Sequence, residues 1–168
     1  SDICPRYSIL PLLQEVHVVT EPSALATLIQ RLPAPAGELA ERWPQGGLEL
    51  LQMLEAKGLL DHDAEVAPPL HAHLLALAEA PLAAGLVEAP GRATLVAELL
   101  LNLAEPGRIN QGYKGTCAPT GIETILVERD PVEYARLIAG LSTPSGEVEL
   151  KGNGLLVRDE ERLDPSPA

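Results

Sequence analysis

Apolar positions recur at helical spacing through most of the chain. In SALATLIQRL they fall at Ala24, Leu25, Leu28, Ile29 and Leu32, one face of a helix that Ser23 is placed to cap and Pro33 to stop. A short helix follows at AGELAERW. LELLQMLEAKGLL then sets Leu50, Leu51, Leu54 and Leu59 around Met53, with Gly58 placed as a C-cap. Residues 70–89 and 92–104 predict two or three further helices, wide-faced and rich in Ala and Leu, punctuated by Pro81, Pro90 and Pro106. After the loop EPGRINQGYKGT, a helix opens at CAPTGIETILVERD with Pro119 in its first turn. Asp130, Pro131 and Glu133 give the N-cap, N1 and N3 signal for DPVEYARLIAG, which Gly140 is expected to end. The pattern then shortens to period two: GEVELKGNGLLVRD predicts two strands about a Gly-Asn-Gly turn. Residues 1–19 carry no decisive pattern, and the tail ERLDPSPA is polar.

The expected fold class is therefore mainly α, with a small β element near the end (α+β). Three short helices followed by a possible hairpin at LLDHDAEVAPPL resemble a winged-helix arrangement over residues 20–70, a shape often used on DNA. Charge changes that picture. The formal net charge is −12, which repels phosphate backbones and anionic membranes, so nucleic acid and membrane are not expected partners and a winged helix here would serve protein contact or packing. With 46% hydrophobic and 21% charged residues the chain has the composition of a folded protein. Aromatics are only 2%, so the core must be aliphatic. No apolar run approaches the roughly 18 to 20 residues of a membrane span, and SDICPRYS is neither a signal peptide nor a translation start.

Two cysteines, Cys4 and Cys117, make neither a disulfide framework nor a zinc site. Cys117 is distinguished by its place. A thiol attacks as its thiolate, and the unpaired N–H groups of a first helical turn favour that anion. Acyl transfer also needs donors aimed at the oxyanion, and the Cys117 N–H with a side-chain amide from the preceding loop, Gln111, would supply two.

The segment QGYKGTC, with Gln111 six positions before Cys117, resembles the nucleophile segment of papain-like cysteine peptidases, in which an oxyanion-hole Gln precedes the Cys that opens the central helix. Residues 99–154, about a third of the chain, are similar to a bacterial papain-like group with an INQG…GTC segment followed by a DPxEYxRLxxGL helix. The resemblance implies Cys117 as nucleophile, Gln111 as oxyanion donor, and Tyr113, Gly115 and Thr116 beside the substrate, with no cofactor. It departs from plant and animal papains in having Ala118 where they have Trp.

The family draws its His and the orienting Asn or Asp from downstream of the nucleophile, whereas His17, His62, His71 and His73 all precede Cys117. A second polypeptide segment that supplies them is the expectation, to which Ser1 in place of an initiator and the polar end both lend support. An inactive relative, or an upstream His as substitute, are the alternatives. The expected organisation is a helical prodomain or interaction module over 1–105 and the nucleophile segment over 106–168. The rival from another class is a non-catalytic helical interaction protein with a relic Gln–Cys pair.

Other residues carry less chemistry. His71 and His73 have an HxH spacing, but on a helix such residues diverge, which disfavours a metal site. Trp43 reads as a core anchor at a helix end. Glu38, Glu41, Glu49 and Glu55 read as solvated faces.

Overall fold

The computed structural model describes residues 22–34, 38–42, 46–60, 68–88, 90–109 and 117–159. Among these are eight α-helices: α1 (Pro22–Arg31), α2 (Glu38–Arg42), α3 (Gly46–Ala56), α4 (Leu70–Glu79), α5 (Ala84–Glu88), α6 (Arg92–Ala104), α7 (Cys117–Arg129) and α8 (Pro131–Leu141). One 3-10 turn, Pro106–Arg108, follows α6, and the antiparallel strands β1 (Glu147–Leu150) and β2 (Gly154–Val157) follow α8. None of the described helices is long and apolar enough to cross a membrane.

The helical faces read from the sequence are the ones that pack, except that Ala24, placed on the α1 face, is exposed. Leu25 and Ile29 of α1 are buried, as are Leu50, Leu51 and Leu54 of α3, while Leu28, Leu32 and Leu59 lie partly buried against them. Glu41, Glu49 and Glu55 are exposed on the opposite faces. A single aliphatic cluster runs from Leu25 to Ala139, crossing residue 105 without a break, and α4 packed along α8 is the most extensive of the helix pairings that carry it. Of the segment expected to form the hairpin of a winged helix, LLDHDAEVAPPL (59–70), residues 61–67 lie outside the described residues, as does Trp43, and Leu70 opens α4.

Helix ends follow local rules, with three corrections. Gly58 has φ +67°, its N–H donates to Glu55 O (2.8 Å), and the Leu59 N–H donates to Leu54 O (3.0 Å), the paired bonds of a Schellman cap. Helix α1 begins at Pro22, so Ser23 lies inside the first turn rather than capping it; proline is suited to that first position because it has no N–H to leave unpaired. Helix α8 runs one residue past Gly140, which has no positive φ. Its reason is contact: a Cβ on Gly140 would stand 2.5 Å from Val148 Cγ2, so the bare backbone lets β1 lie against α8. Asp130 does cap α8, accepting from the Glu133 N–H at 3.0 Å, but the Glu133 carboxylate does not reach back as in a capping box. It takes both guanidinium bonds of Arg136 instead, each 2.7 Å.

Arg136 also donates to Glu149 O (2.8 Å), and Lys151, just past β1, pairs with Asp130 (2.8 Å), so the C-terminal end of β1 is fastened to α8 and its N-cap. Gly152 and Asn153 take the positive φ of the turn, +107° and +66°. Strand β2 pairs with β1, and the Arg158 guanidinium just past it donates to Leu141 O and to Thr143 O (2.8 Å), while the three apolar residues of β2, Leu155, Leu156 and Val157, are exposed.

Candidate functional site

The chain reaches the segment that carries Gln111 and Cys117 from α6. The Arg92 guanidinium donates to Leu77 O (2.6 Å) and Ala80 O (2.7 Å), the free carbonyl end of α4, which fixes where α6 starts. At its other end the 3-10 turn closes with Arg108 N–H on Glu105 O (2.9 Å) and Ile109 N–H on Pro106 O (3.1 Å). Cys117 is then the first residue of α7, with Pro119 in the first turn, as the sequence predicts. Gln111, Tyr113, Gly115 and Thr116 lie outside the described residues, and so do Cys4, His17 and His62.

Over residues 120–129 helix α7 is fastened by polar bonds as well as by Val127 and the partly buried Leu126. From Thr120 to Arg129 only Val127 is buried, while Ile122 (68%) and Ile125 (54%) are exposed. On the inner side Tyr134 of α8 donates its hydroxyl to Glu123 Oε1 at 2.6 Å. Asn102 of α6 donates to the same hydroxyl at 2.9 Å and approaches Glu123 Oε1 at 3.5 Å. Burial, and then the bond to Glu123, hold the Tyr134 phenol well above its ordinary value of 10.0, so it stays a donor. Sequence reading missed this trio. The available signal was Tyr134 itself, a phenol at an inward helix position that needs a polar partner.

A second polar cluster surrounds a cleft of about 360 Å³ between α4, α8 and β1, lined by His73, Arg136, Thr143, Glu147 and Glu149. His71, two residues from His73, approaches Leu60 O through Nδ1 at 3.2 Å. Among the described residues, no three His, Cys, Asp or Glu side chains converge as a metal site requires. The Arg136 bonds hold Glu133 below its ordinary value of 4.5. Burial, and then the Arg136 charge, hold His73 below its ordinary value of 6.5, and its Nε2 is buried without a hydrogen-bond partner.

The pH dependence follows from these directions. Between its folded and unfolded values, a depressed His binds more protons in the unfolded chain, so stability rises with pH there. The His73 contribution is complete above about 6.5 and is lost as pH falls from there through its folded value; Glu133 loses its contribution only lower, below 4.5 and through its own folded value. Urea midpoints are expected to fall as pH drops from 7 to 5, with a smaller fall in His73→Gln. A parallel fall in both proteins would remove His73 as the cause.

No protein-family model matches this chain, and no curated protein or solved structure matches it either.

Proposed function

We propose that the chain is the nucleophile-bearing segment of a papain-like thiol hydrolase, a cysteine peptidase acting on a protein or peptide. Cys117 is the nucleophile, and Gln111 with the Cys117 N–H forms the oxyanion hole. A second polypeptide segment brings the His that takes the thiol proton and the Asn or Asp that orients it. The observation that carries the reading is the place of Cys117 as the first residue of a 13-residue helix, six positions after Gln111. There the backbone N–H groups of the first turn face no helical carbonyl and favour a thiolate. Tyr113, Gly115 and Thr116 would line the acyl group. Attack on a carbonyl forms a thioester and expels the amine, which leaves with the proton held by the His; water then releases the acid and restores the thiol.

The exposed Ile122 and Ile125 on the same helix, with Leu155, Leu156 and Val157 on β2, are consistent with a further segment packing there. Those same side chains favour a second reading, a non-catalytic helical module that binds a protein partner while the Gln–Cys pair is a relic. Labelling with a thiol-reactive epoxide separates the two. Cys117 is expected to react about tenfold faster than Cys4 at neutral pH, through a pKa below the ordinary value of about 8.5. Equally sluggish labelling of both cysteines would favour the relic.

A further inference from the structure

We infer that Tyr134, Glu123 and Asn102 are positioning residues for Cys117, setting the seat of the nucleophile helix from its inner side. The inference rests on the reading of Cys117 as nucleophile and adds what keeps that residue in place. Among residues 120–129 helix α7 sets one buried apolar side chain, Val127, and the partly buried Leu126 against the core, and its outer face carries exposed Ile122 and Ile125. Apolar packing of that kind leaves rotation about the helix axis weakly specified, because burial is non-directional. The polar trio is directional. Glu123 Oε1 receives the Tyr134 hydroxyl at 2.6 Å, and Tyr134, 4% exposed, is locked by α8 and by Asn102 at 2.9 Å.

Three helices thus meet at one carboxylate oxygen. Glu123 is six residues along α7 from Cys117, about 9 Å of helix rise, so a shift in its seat is carried through rigid helix to the first turn. A small error there matters, since oxyanion donors act only when aimed to within a fraction of an ångström. The short bond from Thr124 Oγ1 to Thr120 O (2.9 Å) stays within α7 and cannot set that seat.

The alternative is that the trio is only a stability element, or that Glu123 acts on Cys117 by charge alone. Iodoacetamide alkylation of the full chain, followed across pH at the Cys117 peptide by mass spectrometry, distinguishes these. Tyr134→Phe and Glu123→Ala are each expected to slow Cys117 alkylation at neutral pH about threefold, by moving the profile to higher pH. Glu123→Gln retains Oε1 as an acceptor and is expected to stay within about twofold of the parent. Should Tyr134→Phe fail to fold by circular dichroism, Glu123→Ala, at a half-buried site, decides by the same readout. A folded Tyr134→Phe or Glu123→Ala protein with an unchanged profile overturns the inference, and faster alkylation in Glu123→Ala overturns it in favour of a pure charge effect. If the unaltered chain shows an ordinary thiol profile, the nucleophile reading fails first, and this inference with it.

Discussion

On the proposed function, replacing Cys117 by alanine is expected to abolish epoxide labelling at that position, and to reduce hydrolysis by the chain combined with the proposed histidine-bearing segment at least about a thousandfold. Gln111→Ala is the more informative partner. An oxyanion donor acts on charge that exists only in the transition state, so its loss is expected to lower kcat about a hundredfold to a thousandfold while leaving KM within a few-fold. Steady-state kinetics on a peptide ester or amide would check this. Hydrolysis that survives Cys117→Ala, or a Gln111→Ala effect confined to KM, would assign the chemistry elsewhere.

Leu100→Ala is expected to be among the most damaging single changes to the fold. Leu100 of α6 is fully buried in a cluster that α3 and α4 also line. With so few aromatic residues in the chain, its neighbours are mostly Leu, Val and Ala, and a rigid aliphatic cluster closes only partly over the lost volume. The expected cost is about 3 to 4 kcal/mol, against a total of about 5 to 15 kcal/mol for a domain. Urea denaturation followed by circular dichroism would read it as a lower midpoint. Val87→Ala, at a side chain 59% exposed, is the control and should shift the midpoint little. A Leu100→Ala loss below about 1 kcal/mol would mean that this part of the cluster can collapse.

The helices were legible because their signals are short in range. Leu25 with Ile29, and Leu50 with Leu54, are four residues apart and share a face by geometry alone. The same locality made Asp130 readable as a cap and Gly58 as a helix stop. It misled at Gly140, where a glycine near a helix end suggested a cap but answers to Val148 on β1. It misled again at Glu133, whose capping-box spacing was right but whose carboxylate pairs with Arg136. At the candidate site, the start of α7 at Cys117 was legible, because loop glycines followed by a run with Pro119 mark a helix N-terminus.

The sequence by itself therefore determined the helical class, most of the buried faces of α1 and α3, the terminal hairpin and the helix-opening position of Cys117. These depend on backbone geometry within a few residues. Tertiary structure alone decided that Tyr134 reaches Glu123 across 11 positions and Asn102 across 32, that Arg92 closes the end of α4, and that Arg136 shares its cleft with His73. The physical reason is that a polar side chain's partner is chosen by how helices cross, and crossing is settled by the packing of the whole aliphatic core, which no local spacing encodes.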